Sequence, residues 1–200
     1  QLAIKHAQEL DRVNIERRIL QDKILDEALL KAFSVNKTNS IIVVGMEGWH
    51  PGVIGIVAGR LKDRFNKPVI VIGTDENGIG KGSGRSIQGV DLGNEIKKLN
   101  ETGLLISGGG HEMACGLTIE NKYIKTFHET LERNLSDKVN SIRSKFSTKI
   151  DALLNISAVN KDLINSINQI GPYGSGNPTP TFAFVELRVA YANRVKGGHI

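Results

Sequence analysis

The chain has 200 residues, 40% hydrophobic and 24% charged, and its 26 basic and 21 acidic residues give a formal charge of +5 and a pI near 9.3. That length buries a real core in one or two domains of an ordinary soluble protein, and so mild a basic excess suits a polyanionic partner without requiring one. A single cysteine, Cys115, excludes an internal disulfide and a multi-thiolate zinc site and fits a reducing cytosol; no apolar run reaches the ~18 residues that span a bilayer, so a cytoplasmic chain without a membrane partner is expected.

The chain opens inside a helical pattern, and its first residues do not resemble a signal peptide. Leu10, Val13, Leu20 and Ile24 share one face and no proline or glycine intervenes before Phe33, which predicts one connecting helix over residues 1–34. A helix of that length at a domain edge is expected to bridge to a segment upstream. Ser40 to Gly45 is a continuous apolar run, as in a strand covered on both faces. Helical periodicity from Val53 to Phe65 and a second buried strand, Val69 to Ile72, complete a βαβ unit with a right-handed crossover. Asp75-Glu76-Asn77-Gly78 supplies a hairpin turn into a strand carrying Gly80-Lys81-Gly82-Ser83-Gly84-Arg85-Ser86.

Asp91 is placed to cap a helix through Lys98, and Leu104-Leu105-Ile106 is predicted as a short strand leading into Ser107-Gly108-Gly109-Gly110-His111. Another strand follows at Leu117-Thr118-Ile119. Asn121 is placed to cap a long helix bearing Ile124, Phe127, Leu131 and Leu135. Residues 35–145 therefore read as one α/β domain with a mixed, partly parallel sheet flanked by helices. Beyond it, Val185, Leu187, Val189 and Tyr191 alternate with Glu186, Arg188 and Ala190, which predicts a half-buried strand, with a turn at Gly197-Gly198. A lone hairpin is marginal in water, so residues 146–200 read as a linker and the beginning of a further domain.

Three glycine-rich segments carry the chemistry. In Gly48-Trp49-His50-Pro51-Gly52, between strand and helix, His50 is placed to bond an anion at the helix N-terminus, and Trp49 either stacks on a base or packs inward. In Gly80 to Ser86, three glycines share one bare face open to a backbone or ligand, and Lys81, Ser83 and Arg85 form a donor row on the other. The bland alternative is a bulged strand with a solvated basic face. In Gly108-Gly109-Gly110-His111, unobstructed N–H groups are expected to lead into a short helix aimed at an anion, with His111 as donor. The Lys-Ser/Thr of a P-loop is missing there. Glu47 with His50, and His111 with Glu112, lack the acidic cluster a metal site needs, so no metal ligand and no catalytic residue is assigned. His6 and His128 fall in helical segments and are read as surface residues.

Together these segments resemble the DHH phosphoesterase superfamily, and within it the DHH-associated domain of RecJ-type single-strand exonucleases. Gly108-Gly109-Gly110-His111-Glu112-Met113-Ala114-Cys115-Gly116 is similar to that domain's GGGHxxAAG signature, with Cys115 in place of one alanine. The Trp49-His50 loop, the Gly80–Ser86 strand and the helix with Arg17-Arg18 resemble further RecJ-type segments. Gly171-Pro172-Tyr173-Gly174-Ser175-Gly176-Asn177-Pro178 resembles the entry to a β-rich OB-fold domain.

The resemblance implies a 5′-to-3′ exonuclease acting on single-stranded DNA in repair and recombination, using Mn²⁺ or Mg²⁺ held by an upstream domain. Here Ser83, Arg85, His111, Gly109, Gly110 and His50 would bind phosphate, no cofactor would be bound, and these residues alone would be inactive. A monomer is implied, with single-stranded-DNA-binding protein as a candidate further partner. The alternatives are another DHH-type phosphodiesterase acting on short oligonucleotides or cyclic dinucleotides, and a non-catalytic nucleic-acid-binding module. No Asp-His-His run occurs in the 200 residues.

Overall fold

In a computed structural model, residues 2–36, 39–145, 149–174, 176–188 and 190–193 are described. Helix α1 (Leu2–Asn36) precedes strand β1 (Ile42–Glu47), helix α2 (Pro51–Phe65) and strand β2 (Val69–Thr74). β1 and β2 pair in parallel, as the βαβ pattern predicts. Pro51 opens α2, where its missing N–H costs nothing. Antiparallel strand β3 (Ile79–Arg85) follows the turn at Asp75, whose Oδ1 accepts from the N–H groups of Asn77 and Ile79. Helix α3 (Leu92–Glu101) is capped by Asp91, whose Oδ1 accepts from Asn94 N–H at 2.9 Å. Strands β4 (Ser107–His111) and β5 (Ala114–Glu120) then form an antiparallel hairpin. The sheet order is β1-β2-β3-β5-β4.

Strand alternation divides the core in two. On one face Ile42, Val44, Val69 and Val71 pack with Ile24, Ala28 and Ala32 of α1 and with Val53, Val57 and Leu61 of α2. On the other, Ile70, Ile72, Leu117 and Ile119 pack with Ile96 of α3 and with Phe127 and Leu131 of helix α4 (Ile124–Ser144). Both faces of β1 and β2 are buried, which is why those strands read as unbroken apolar runs.

Several expectations change. The triglycine run is itself strand β4, and Leu104 to Ile106 lie before it. No helix follows His111; Glu112 and Met113 turn the chain directly into β5. The helix that presses on this backbone is the preceding one, because a Cβ at Gly93 of α3 would lie 2.5 Å from His111 N. Asn121 does not cap α4, since a 3-10 turn (Asn121–Tyr123) intervenes and Tyr123 occupies the cap position without a side-chain bond. His128 is half-buried, its Nε2 3.2 Å from the Ile41 carbonyl oxygen. Leu10 and Val13 are exposed, so only the later turns of α1 use the apolar face.

The chain divides into two compact units, Gln1–Phe146 and Ser147–Ile200. In the second, strand β6 (Ala152–Leu154) pairs in parallel with strand β7 (Phe182–Phe184), and helix α5 (Lys161–Ile170) lies between them in sequence. Asn177 Nδ2 donates to the carbonyls of Ile170 and Pro172, and the Tyr173 hydroxyl donates to that of Ile167. The Gly-Asn-Pro segment thus ties a loop to the end of α5. Among the described residues of the predicted strand from Val185 to Tyr191 none lies in a strand, and Val185, Leu187 and Tyr191 are exposed. The strand stops at Phe184, and Glu186 has a positive φ of 58°, which breaks the extended geometry. Val189 and the predicted turn at Gly197-Gly198 lie outside the described residues.

Candidate functional site

Strand registry assembles the site. Across β3, β5 and β4 the aligned rows are Lys81–Thr118–Ser107, Ser83–Gly116–Gly109 and Arg85–Ala114–His111. Residues of one row point to the same face, here the face shared with α2. The middle row offers bare backbone at Gly116 and Gly109, and nothing lies within 4 Å of a Cβ placed at Gly109. A hollow of about 530 Å³ follows this floor, bounded by Lys81, Ser107 and Thr118. Arg85 and His111 stand two strands apart, about 10 Å, in the row next to Gly116 and Gly109.

Arg85 is half-buried and forms no ion pair among the described residues. Its Nη1 donates to Ser83 Oγ at 3.2 Å and to the Gly84 carbonyl at 2.8 Å. Gly55 of α2 permits this placement, since a Cβ there would lie 3.0 Å from Ser83 Oγ and 3.1 Å from an Arg85 guanidinium nitrogen. A guanidinium with spare donors, a hydroxyl and glycine backbone can together receive a tetrahedral oxyanion. As an edge strand, β4 also leaves alternate N–H groups facing away from β5.

The bare face of Gly80, Gly82 and Gly84 does not receive a ligand. Added Cβ atoms would lie 2.7 Å from Ile72, 2.8 Å from Leu117 and 2.4 Å from Cys115 Sγ. These glycines make room for core side chains. Cys115 is enclosed there, and burial pushes its thiol up to about 12.

His50 stands apart from this row. It is the N-cap of α2, and its Nδ1 accepts from Gly52 N–H at 3.0 Å. With Lys81 it borders a second hollow of about 300 Å³ at the carboxyl ends of β1 and β2. Trp49 packs inward: only 3% of it is exposed, and its Nε1–H donates to Glu27 Oε2 at 2.8 Å. Stacking of a base on its face is thereby ruled out. Gly110 and His111 are exposed at the hairpin, whose Glu112 accepts from Gly89 N–H. Lys81 sits in the predicted donor row, but its place between two hollows emerges only from the sheet registry. Among the described residues no group of three or more His, Cys, Asp or Glu side chains converges to hold a metal ion. Nor is any described helix long and apolar enough to cross a membrane.

By architecture the first unit is a mixed-sheet α/β domain with a half-open face of donors and bare backbone. The chain belongs to the DHHA1 domain family, which matches residues 38–148, and residues 150–200 match the RecJ OB domain. It is 34% identical over 175 residues to a single-stranded-DNA-specific exonuclease RecJ of Bacillus subtilis, covering 87% of this chain and 22% of that protein. To the protein of the same name from Escherichia coli it is 30% identical over 182 residues, covering 88% and 32%. A crystal structure of Thermus thermophilus RecJ in complex with Mg²⁺ superposes with a TM-score of 0.60 at 28% identity, covering 87% of this chain and 26% of that one. The Mn²⁺ complex gives a TM-score of 0.60 at 27% identity, covering 88% and 25%. The chain thus spans between 22% and 32% of the length of these curated relatives.

Proposed function

We propose that this chain forms the substrate-gripping part of a cytoplasmic exonuclease that hydrolyses phosphodiester bonds of single-stranded DNA from the 5′ end, in repair and recombination. The observation that carries this reading is Arg85, a half-buried guanidinium without a carboxylate partner among the described residues, set beside Ser83 at the edge of a glycine floor. The names of its relatives, single-stranded-DNA-specific exonucleases, support it.

Arg85 neutralises and orients a phosphate. Ser83 accepts from Arg85 and turns its own O–H to a second oxygen. Gly109, Gly110 and Gly116 let the sugar-phosphate backbone approach, and His111 contacts it from the far strand. Domain limits of 35–145 for the grip and 146–200 for the start of an OB-fold suit this division. The OB-fold steers the strand through backbone charge and stacking, with little sequence preference. The Mg²⁺ or Mn²⁺ of the relatives' structures would be bound outside these residues. The enzyme works as a monomer, with single-stranded-DNA-binding protein as a partner that delivers the strand.

Arg85→Ala in an intact protein containing this chain is expected to lower hydrolysis of a labelled single strand by about 10²–10³-fold, the scale of a lost charge-stabilising donor. Metal affinity should be unchanged. Near wild-type cleavage would remove Arg85 from the role. The 200 residues alone, given Mn²⁺, are expected to digest nothing, and chelator-sensitive digestion by them would overturn the division of labour.

A further inference from the structure

The hollow at the carboxyl ends of β1 and β2 differs in chemistry from the glycine floor. Pro51 and Ile79 supply apolar walls beside the inward-packed Trp49, and the polar border is His50, Asp75, Lys81 and the buried Thr74. A close backbone contact builds it. A Cβ at Gly73 would lie 2.0 Å from the Trp49 carbonyl oxygen, so only glycine lets the Trp49-His50 loop fold over the end of β2.

Two of these polar groups are fixed in role. Because His50 Nδ1 accepts from Gly52 N–H, the neutral ring carries its proton on Nε2, which is therefore a donor. Asp75 Oδ1 takes both turn bonds, from Asn77 N–H and Ile79 N–H, leaving Oδ2 as an acceptor. Lys81 is exposed, forms no ion pair among the described residues, and borders both this hollow and the glycine floor. A carboxylate on the wall disfavours a phosphate. An acceptor beside donors, between apolar walls, suits the edge of a nucleobase.

Building on the phosphate grip above, we propose that this hollow is a base subsite. It takes the nucleobase next to a phosphate held by Lys81, and it favours bases with an exocyclic amine (cytosine, adenine, guanine) over thymine. The amine donates to Asp75 Oδ2, and the adjoining ring nitrogen or carbonyl accepts from His50 Nε2–H or Lys81.

The test uses the 200-residue chain and fluorescence anisotropy with labelled eight-nucleotide strands. One strand is all thymidine, one carries a single internal cytidine, and one a single internal abasic site. The cytidine strand is expected to bind roughly fivefold tighter than all-thymidine, the size of one good base-edge pairing. Asp75→Asn keeps an oxygen for the turn bonds and should erase that preference without weakening the abasic strand. Arg85→Ala should weaken all three strands alike. Equal affinity for cytidine and thymidine strands, or a preference that survives Asp75→Asn, overturns the base subsite. Indifference of every strand to Arg85→Ala, or no binding by any strand, instead sinks the phosphate grip and the subsite with it.

Discussion

Gly84 and Gly109 lie on opposite faces of one sheet, and alanine at each is expected to fail differently. At Gly84 the new methyl would lie 2.4 Å from Cys115 Sγ and 3.0 Å from Leu92, an overpacked core that costs about 1–3 kcal/mol. At Gly109 it meets nothing within 4 Å, yet it stands on the floor where the DNA backbone is proposed to rest. Gly84→Ala should therefore lower the melting temperature, whereas Gly109→Ala should keep it and weaken strand binding in anisotropy. Unchanged binding by Gly109→Ala would place the strand elsewhere. Cys115, on the core face with Gly84, gives a pH prediction. Burial raises its thiol from 9.0 to about 12, so the folded chain holds the neutral form across that window. The unfolded chain ionises first, and this contribution to stability is lost as pH climbs from about 9 towards 12; below 9 it is fully retained. At pH 8 a thiol reagent should react with the denatured chain and spare the folded one; prompt reaction of the folded chain would contradict the buried thiol.

At the scale of elements, α1 divides into two parts with separate energetic weight. Leu2, Ile4, Leu10, Val13 and Ile15 are exposed, while Ile24, Ala28 and Ala32 are enclosed against α2 and the sheet. Ile24→Ala is expected to cost about 2–5 kcal/mol in a denaturation curve. Removing residues 1–12 should leave the midpoint nearly unchanged, and a large loss would mean that the exposed half packs on something in solution. The same helix shows what the sequence could and could not reveal. Its length was legible from unbroken periodicity, but which turns are covered depends on α2, a partner distant in sequence. β1 and β2 were legible because a strand buried on both faces is a run of β-branched residues. β4 was not, because glycine has no strand propensity and an edge strand borrows its geometry from β5. The alternation at 185–191 misled, since the pairing partner that would hold a strand, β6, reaches only Phe184. Ser83 and Arg85 were readable as one face from a spacing of two. Their alignment with Gly109 and His111 arises from two successive strand pairings, which no local pattern encodes.

At the scale of the whole chain, the two units differ in what can hold them folded. In Gln1–Phe146, two apolar clusters cover both sheet faces, and Ile42, Ile70, Ile72 and Leu61 are 0% exposed. Amides of the central strand β2, paired on both sides, exchange with solvent only when the unit opens globally. Among the described residues of the second unit none is buried, and its strands are three residues long. Helix α5 is amphipathic, yet Ile164 is 52% and Ile170 64% exposed, so its apolar side gains little from burial. Caps and turns remain: Asn160 Oδ1 accepts from Leu163 N–H at 2.9 Å, a contribution of about 1 kcal/mol. That is too little to protect a ten-residue helix, since isolated helices below about 12–15 residues are marginal in water. In a hydrogen-exchange experiment on the 200-residue chain, α5 amides should therefore be fully exchanged while those of β2 remain protected. Comparable protection would show that α5 is covered in solution, and that its exposed isoleucines belong to an interface.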